Sequence, residues 1–514
     1  MKQSTLLRYS LAAVVAFAAA SCDKDKFLDV NNNPNLPLAV PPTVLLTGAE
    51  ATTGFAVGNE LGRVTELFIQ HTAGIANQPR TYDTYQIRGN YDNQWNNELY
   101  GGSLINLQQI INQTQETSPS YAGVAKILKA YNFALTTDLW GDIPYSQALQ
   151  GNLDVPNLAP RFDTQQDIYE GNSALSVQSL FDLVKEGLAD LDKTSVLKPG
   201  ADDLVYQGNL TKWRKFGNTL LLKLANTISK KDRTRATAII NEVLGKGTAA
   251  IITDNADDFQ VPYGTAVGNQ NPFYAYNYVN RPDDQMLSQR FLDSLNRLKD
   301  PRLAKFFTTT PTPVLPPANP TVNTTGVVTP FGTFTGYDNG NTTATVPVRA
   351  NRSRFAAYVV GASGEAPVRL ITNFQRAFIL AESALILGTA GDPQALFQEG
   401  IRASMTKAGL SAADITDYFA KNASIVTLAG STQHKLNQII TQKWIAWTGN
   451  GYEAYNDFRR TGYPRLALAT NPSSESPTSI PVRLYYPNVE ISSNVANIPK
   501  PQPLTNVPVW WATQ

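Results

Sequence analysis

The chain has 514 residues, with 43 lysines and arginines against 42 aspartates and glutamates, and a formal net charge of +1. It contains no long basic block, which argues against nucleic acid as a partner. A single cysteine excludes disulfides and cysteine-bound metals as the basis of the fold, so stability must come from a large core. The 22 tyrosines, 7 tryptophans and many side-chain amides suit stacking on, and hydrogen bonding to, neutral polar ligands.

The N-terminus has the pattern of a cleaved export signal. Lys2 and Arg8 precede an apolar run at positions 11–20, about half the length of roughly 20 residues that a membrane span needs. Small residues then lead directly into Cys22, and this arrangement resembles the lipobox of bacterial lipoproteins. We therefore expect a signal peptide over residues 1–21 and lipid attachment at Cys22. An ordinary secretory signal with a cysteine near its cleavage site is the alternative.

The segment after Cys22 is predicted to be a lipidated tether over residues 22–36. Its charged start and its Asn-Pro-Asn sequence at 33–35 are typical of a solvated linker. Acidic residues directly after a lipidated cysteine also resemble the signal that sends some Gram-negative lipoproteins to the outer surface. This pattern favours an outer-membrane location facing the extracellular side.

Helical patterns dominate the remainder of the chain. Apolar residues recur at helical spacing in several stretches: 124–135, 177–191, 213–224, 374–385, 397–408, 436–447 and 452–460. Asp392, Pro393 and Gly409 are typical of the start and end of one of these helices. Strand patterns are sparse and short, at 259–263 and 483–486. The sequence shows no clean period of 34 residues, so it does not by itself establish a helical repeat.

Two long stretches interrupt the helical pattern. Residues 260–284 are rich in Gly, Asn, Pro and Tyr, and residues 308–348 are rich in Thr, Pro, Gly and Asn. Loops of this length are uncommon in compact domains and are usually functional or disordered. They could link two domains, but helical patterning resumes on both sides of each. We therefore predict one helical domain over residues 37–514 that carries them as loop insertions.

Motifs along the chain resemble those of the SusD/RagB family, and most closely its SusD-like lipoprotein subgroup. An alanine- and tyrosine-rich helix runs into the signature residues Trp140, Gly141, Asp142, Pro144 and Tyr145. The further matches follow in order at 213–225, 300–302, 374–387, 443–460 and 483–487. Together with the lipobox and the tether, they extend the resemblance over essentially the whole chain.

This resemblance implies a mainly α, SusD-like fold with tetratricopeptide-like helix pairs, long loops that build the ligand face and a few short strands. It also implies a surface-exposed outer-membrane lipoprotein that captures oligosaccharide or another nutrient, such as peptide. The captured nutrient would pass to a TonB-dependent SusC-like transporter, which the helix-pair side would contact. The family implies no cofactor.

Candidate ligand residues are the aromatic rings and amides of the two long loops. A sugar places its apolar face on an aromatic ring while its hydroxyls bond to amides and charged groups. The predicted ligand-binding residues are Tyr263, Asn271, Phe273, Tyr274, Tyr276, Tyr278, Phe334 and Tyr337. An earlier segment is a further candidate, with Tyr82, Tyr85, Arg88, Tyr91 and Trp95.

Other conspicuous residues are interpreted as structural. Asp138 and Asp142 flank Trp140, and a tight turn explains them better than a catalytic carboxylate pair. Arg459 and Arg460 are expected to bind carboxylates or carbonyls inside the protein. A set of aromatic residues at helical spacing is assigned to the core: Trp444, Trp447, Tyr452 and Tyr455.

The sequence contains no marked catalytic or metal-binding constellation. His71 and His434 lack the spacing of a zinc hydrolase, and no GxSxG elbow or P-loop is present. Asp254, Asp257 and Asp258 lack the pattern of a calcium loop and are interpreted as a solvated acidic turn. We predict a non-catalytic protein without metal. The alternatives are a surface glycoside hydrolase, which needs two suitably spaced carboxylates, and a helical scaffold or adhesin that binds only proteins.

Overall fold

The computed structural model describes residues 40–151, 156–310 and 327–513. Cys22, the predicted signal peptide over residues 1–21 and the predicted tether over residues 22–36 lie outside the described residues. Part of the predicted 308–348 loop also lies outside them.

Helices make up most of the described chain, as the sequence predicts. Those of the N-terminal half are α1 (Pro42–Gly58), α2 (Glu60–Phe68), α3 (Asn77–Asp83), α4 (Ile105–Thr114), α5 (Pro119–Trp140), α6 (Gln165–Glu170), α7 (Leu180–Asp190), α8 (Leu210–Ile228) and α9 (Arg233–Gly245). A π-helix, Gln94–Leu104, precedes α4, and we call it the first π-helix.

The C-terminal half continues this pattern with shorter helices between the long ones. They are α10 (Pro272–Tyr274), α11 (Gln289–Arg297), α12 (Leu303–Phe306), α13 (Ala357–Val360), α14 (Asn373–Ile386), α15 (Pro393–Lys407), α16 (Ala412–Lys421), α17 (Ala423–Val426), α18 (Thr432–Ala446), α19 (Gly451–Thr461) and α20 (Asn488–Ser493). A second π-helix, Ala275–Asn280, follows α10 directly. The fold is therefore mainly α, and this prediction is confirmed.

The strands of the described residues are short and form two-stranded antiparallel sheets. The pairs are β1 (Thr72–Gly74) with β5 (Gln285–Leu287), β2 (Ile143–Pro144) with β3 (Phe162–Asp163), β4 (Phe259–Val261) with β8 (Val368–Ile371), and β6 (Val327–Thr329) with β7 (Gly332–Phe334). Two of these four sheets, β1 with β5 and β4 with β8, join segments more than 100 residues apart and so connect distant parts of the chain.

Helix ends follow the capping residues of the sequence. The Asp392 side chain accepts a hydrogen bond from the Ala395 N–H at 2.6 Å, and Pro393 occupies the first turn of α15. Gly409, with φ of 80°, follows the end of the same helix, as the sequence predicts. Asn209 caps α8 in the same way, since its side chain accepts from the Lys212 N–H at 3.1 Å.

Two sequence predictions need correction. The prediction of a strand at 483–486 is wrong, because this segment lies in no sheet. It forms hydrogen bonds with the end of α5 and the turn that follows instead. The Leu484 N–H donates to the Leu139 carbonyl at 2.9 Å, and the Tyr486 hydroxyl donates to the Asp142 carbonyl at 2.7 Å. The 260–284 segment is also more regular than a loop, since it contains α10 and the second π-helix.

Neighbouring helices pack in pairs along the chain, with α8 on α9 and α14 on α15, while α5 packs on α7. The α5–α7 contact depends on facing glycines. A Cβ atom at Gly123 would lie 2.6 Å from the Gly187 carbonyl oxygen, and one at Gly187 would lie 2.8 Å from the Gly123 oxygen. Any larger residue at either position would therefore separate the two backbones.

The signature turn at the end of α5 is built around the buried carboxylate of Asp138. One carboxylate oxygen accepts from the Tyr169 hydroxyl at 2.7 Å and the Trp511 indole N–H at 2.8 Å. The other accepts from the Tyr452 hydroxyl at 2.7 Å and the Asn456 side-chain amide at 2.8 Å. Asp138 thus joins α5 to α6, α19 and the C-terminal segment, which confirms the structural interpretation of this residue.

The two arginines of α19 also donate hydrogen bonds to buried groups inside the protein. Arg460 donates to the Glu382 carboxylate through both terminal nitrogens and to Asp457 at 2.9 Å. Arg459 donates to the Asp138 and Val482 carbonyls. The predicted core aromatics of α18 and α19 are all buried: Trp444, Trp447, Tyr452 and Tyr455. Both predictions are confirmed.

Residues from Pro42 onward form one compact unit. Over the part of the chain that the structure describes, no helix has the length and apolar character needed to span a bilayer.

Candidate functional site

An open cavity of about 640 Å³ lies between α1, the first π-helix and the loop after β4. We call it the amide cavity because side-chain amides dominate its lining. Its residues are Ala51, Thr52, Phe55, Asn59, Asn93, Gln94, Asn97, Glu98, Tyr263, Gly268 and Asn269. Its volume lies within the range of about 300–1,000 Å³ that is usual for small-molecule sites.

Glycines on α1 bring the loop after β4 to this cavity. A Cβ atom at Gly54 would lie 2.6 Å from the Val261 Cβ atom, and one at Gly58 would lie 2.6 Å from a Val368 methyl carbon. Because both positions are glycine, the β4–β8 sheet packs directly on the α1 backbone. The chain leaving β4 therefore reaches the cavity with Tyr263 as its first aromatic residue.

The first π-helix and the residue before it supply three of the five side-chain amides in the lining. A π-helix closes its turns with i to i+5 hydrogen bonds and is frequently found at functional sites. Gln94 and Asn97 line the cavity, and the Asn97 amide donates to the Asn93 side-chain oxygen at 3.2 Å. A Cβ atom at Gly102 would lie 2.5 Å from the Thr52 methyl carbon, so this glycine lets the π-helix pack closely on α1.

Glu98 is the carboxyl group in the lining. Its side chain is 6% exposed, and one carboxyl oxygen accepts from the Asn59 amide at 3.0 Å and the Gln94 amide at 3.1 Å. The other oxygen is buried and has no hydrogen-bond partner among the described residues. Burial raises the pKa of Glu98 to about 7, against the lowering effect of the two amides. Near pH 7, this group can therefore present either a hydroxyl donor or a carboxylate acceptor.

Two aromatic rings complete the cavity. Phe55 on α1 is 42% exposed, so much of its apolar ring faces solvent at the rim. Tyr263 is half-buried, and its hydroxyl oxygen is buried without a hydrogen-bond partner in the described chain. A ring beside several amides and one carboxyl group provides an apolar platform with donors and acceptors around it, which suits a polyhydroxylated ligand.

Of the residues predicted to bind ligand, Tyr263 lines the amide cavity. Four others are buried inside the protein: Asn271, Phe273, Phe334 and Tyr337. The Asn271 amide donates to the Ala366 carbonyl at 2.9 Å, and its oxygen caps α10. The Tyr337 hydroxyl donates within its own loop, to the Asn341 and Ala344 carbonyls. The polar groups of Asn271 and Tyr337 therefore have partners within the protein, and Tyr337 also lines a separate cavity of about 210 Å³.

The remaining predicted tyrosines lie on α10 and the second π-helix and are half-buried. Tyr274 and Tyr278 stack at a centroid separation of 5.4 Å, and the Tyr278 hydroxyl donates to the Phe355 carbonyl. The Tyr276 ring covers the Arg63 guanidinium, which lies 3.3 Å from its centroid. None of the three lines the amide cavity.

The earlier candidate segment contributes to the cavity through side-chain amides and not through the residues predicted for it. Tyr82, Tyr85, Tyr91 and Trp95 are buried, and Arg88 is exposed outside the cavity lining. The amides that line the cavity are Asn93, Gln94 and Asn97, which lie on either side of Trp95 in the chain. The run of Asn and Gln at 93–97 was the available signal. The spacing of Gly54 and Gly58 also indicated a close approach of another segment to α1.

The acidic turn near β4 is occupied by protein partners. Asp257 pairs with Lys215 at 2.6 Å, Asp258 pairs with Lys407 at 2.8 Å, and Asp254 caps the following turn. Asp257 and Asp258 are therefore buried and paired rather than solvated, whereas Asp254 is exposed. Within residues 40–151, 156–310 and 327–513, no group of three or more His, Cys, Asp or Glu side chains is placed to hold a metal ion.

The fold and the cavity together define a helical protein with an open, amide-lined cavity. The sequence matches the SusD-like family, described as "starch-binding associating with outer membrane", over residues 34–487. The chain therefore belongs to the SusD-like family. No curated protein sequence matches it significantly.

Solved structures support the same assignment. One described as a chitin-binding protein is 25% identical, with a TM-score of 0.75, and covers 92% of this chain and 100% of its own. A Bacteroidetes AC2a SusD-like protein is 22% identical, with a TM-score of 0.74 and the same coverage. A chitin-binding SusD homologue from Flavobacterium johnsoniae is 21% identical, with a TM-score of 0.70, and covers 92% of this chain and 98% of its own. The last two likenesses establish the fold alone.

Proposed function

We propose that this protein captures oligosaccharide in the amide cavity and does not cleave it. The observation that carries the proposal is the exposed Phe55 ring beside the amides of Asn59, Asn97 and Asn269. A sugar ring can cover the phenyl face while its hydroxyl or acetamido groups bond to these amides. The family description and the chitin-binding relatives support a carbohydrate as the ligand.

The carboxyl groups of the cavity are too few for the usual mechanism of glycoside hydrolysis. Glycoside hydrolysis usually needs two carboxyl groups that flank the scissile bond. Of the described residues that line the amide cavity, Glu98 alone carries one. Asp138 has both oxygens engaged in the interior, so it supplies no second group. The cavity is therefore built to hold a glycan rather than to break it.

Calorimetric titration of the chain from Phe27 onward tests this proposal. The ligands are chito- and malto-oligosaccharides, and each mixture is examined afterwards for cleavage products. We expect saturable binding without products, and we expect Phe55→Ala to weaken binding at least about 10-fold, since it removes the apolar platform. Phe331→Ala is the matched control, because this half-buried phenylalanine lies outside the amide cavity.

The result can also contradict the proposal. Cleavage products formed by the purified protein would overturn the non-catalytic assignment. Equal binding by wild type and Phe55→Ala would remove the amide cavity as the site, even if the protein binds glycan. A peptide that binds more tightly than any oligosaccharide, with the same Phe55 dependence, would change the ligand class but keep the cavity.

We further propose that lipid on Cys22 anchors the protein to the outer membrane, facing the extracellular side. There it would pass its ligand to a TonB-dependent SusC-like transporter, with the helix pairs against the partner. The support is the lipobox pattern before Cys22 and the description of the family as associating with the outer membrane. Copurification of the transporter with the tagged full chain tests the partnership, and a transporter that never copurifies would contradict it.

A further inference from the structure

A second concave surface lies between α11, α18 and the chain at 464–467, and it shares no lining residue with the amide cavity. Two adjoining cavities of about 290 and 230 Å³ form it, and both are lined by Arg297, Asn437 and Thr441. Arg290 and Arg465 also line the larger one. We call this surface the arginine groove.

The three guanidinium groups bring positive charge that no lining residue balances. The groove lining contains neither aspartate nor glutamate. Over the described ranges, Arg290, Arg297 and Arg465 form no ion pair, and the side chains of Arg297 and Arg465 are exposed. Arginine is over-represented where carboxylate or phosphate oxyanions are bound, so this cluster is a candidate oxyanion site. The Arg465 guanidinium also lies 5.4 Å from the centroid of the Tyr463 ring.

Among the described residues, Asp293 and Asp83 are two acidic groups near these arginines, and neither forms an ion pair with them. Asp293 lies on α11 between two of the arginines, and its carboxylate accepts from the Gln289 amide at 2.8 Å. Asp83 interacts electrostatically with Arg290 but is buried and accepts from the backbone N–H groups of Gly74 and Gly340. Neither group lines the groove.

Hydrogen bonds hold part of the groove wall, including Arg290, in a defined place. Arg290 donates to the Ala467 carbonyl at 3.0 Å, which ties α11 to the 464–467 chain. Trp444, buried at the base, donates its indole N–H to the Ile69 carbonyl at 2.9 Å. The Thr441 hydroxyl contacts the Asn437 side-chain oxygen at 3.2 Å. The groove thus combines an indole edge, a hydroxyl and an amide with its arginines.

We propose that the arginine groove binds an acidic sugar unit through its carboxylate or sulfate oxygens. A guanidinium presents paired N–H donors in a plane that matches either oxyanion. The hydroxyl, amide and indole groups of the same walls suit the rest of a sugar ring. Cavities of about 290 and 230 Å³ suit one or two sugar units rather than an extended polypeptide. This site is distinct from the amide cavity, and the inference does not depend on neutral glycan binding there.

The test is a calorimetric titration with four probes: tri-galacturonate, a sulfated heparin disaccharide, neutral chitotriose and tri-glutamate. We expect the uronate or the sulfated sugar, or both, to bind, and the comparison of these two identifies the preferred oxyanion. The double variant Arg297→Gln with Arg465→Gln should weaken that binding at least about 10-fold, because it removes two charged hydrogen-bond donors. Binding should also weaken at about 0.5 M salt, where exposed charges are screened.

Arg281→Gln is the matched control, because Arg281 is an exposed arginine outside the groove. This variant should bind the acidic sugar with the same affinity as wild type. The double variant should keep any affinity for chitotriose, so failure of the groove and failure of the amide cavity are distinguishable. No acidic sugar binding, or binding that the double variant retains, would overturn the proposal. Stronger, groove-dependent binding of tri-glutamate would overturn it in favour of an acidic polypeptide partner.

Discussion

Replacement of Asp138 by asparagine should destabilise the protein while preserving the shape of the side chain. The carboxylate accepts two hydrogen bonds at each oxygen, from Tyr169 and Trp511 on one side and from Tyr452 and Asn456 on the other. An amide keeps one acceptor oxygen and turns the other position into a donor. In either orientation, the new NH₂ group therefore faces a tyrosine hydroxyl and an N–H donor.

The size of the effect follows from the groups left unpaired. A tyrosine hydroxyl can rotate to accept from the new amide, but the Trp511 indole and the Asn456 amide nitrogen can only donate. A buried donor without an acceptor costs about 1–3 kcal/mol. The variant also loses the negative charge that lies 3.8 Å from the buried Lys223 ammonium. We expect a loss of about 2–4 kcal/mol, a large part of the roughly 5–15 kcal/mol that keeps a typical domain folded.

Urea unfolding followed by circular dichroism measures this loss, and Asp142→Asn provides the matched control. One oxygen of Asp142 accepts from the Gln165 N–H at 2.8 Å, and an amide oxygen can keep that bond. Burial raises the pKa of Asp142, so removal of its charge should cost little, and we expect a change below about 1 kcal/mol. Equal free energies of unfolding for wild type and Asp138→Asn would refute the structural role assigned to Asp138.

Three further predictions concern α1, the amide cavity and the anchor. Gly54→Ala should lower the free energy of unfolding by about 1–3 kcal/mol, because its Cβ would collide with Val261 at 2.6 Å; Gly48→Ala on the same helix has room and should be neutral or stabilising. Urea unfolding of both variants should show this difference. Because burial raises the pKa of Glu98 from 4.5 to about 7, the folded state binds more protons than the unfolded state between these values. The free energy of unfolding should therefore fall as pH rises from about 4.5 to about 7, and it should fall less in Glu98→Gln. Urea unfolding of both proteins at pH 5 and pH 8 measures this difference. Cys22→Ser should abolish incorporation of labelled palmitate and release the protein from membranes; persistent labelling would contradict lipid attachment at Cys22.

The sequence predicted the helical framework because its signals are local. The capped helix α15 begins after Asp392 and ends before Gly409, where hydrogen-bonding and backbone preferences of single residues determine the boundaries. The interior roles of Asp138, Arg459 and Arg460 were also predictable, since a charged residue beside a stripe of core aromatics needs an internal partner.

The candidate ligand site was harder to predict because it depends on contacts between distant segments. Three residues of one tyrosine-rich stretch have different surroundings. Tyr263 lines the cavity, Phe273 lies in the core, and the Tyr276 ring covers the Arg63 guanidinium. Their different positions follow from the packing of β4 on the α1 glycines and from the second π-helix. Phe55 was overlooked because α1 lacks an amphipathic pattern and was not predicted, so nothing in the sequence marked this ring as exposed.

The segment at 483–486 shows the same limit. Its alternation of large apolar residues predicts a strand, but its backbone follows the end of α5, more than 300 residues earlier in the chain. The Trp140 indole N–H donates to the Tyr485 carbonyl at 2.9 Å, so the segment completes the signature turn instead of pairing with another strand. Local patterning indicates an extended chain in such cases but cannot identify its hydrogen-bond partner.

The proposed binding of oligosaccharide in the amide cavity depends on Phe55, so the affinity of Phe55→Ala for a neutral oligosaccharide is the decisive measurement. One calorimetric series would compare wild type, Phe55→Ala and Phe331→Ala against the oligosaccharide that wild type binds most tightly. If the proposal is right, Phe55→Ala binds at least about 10-fold more weakly, while Phe331→Ala binds as wild type does and no cleavage products form. Undiminished binding by Phe55→Ala, or cleavage of the glycan by wild type, would contradict it.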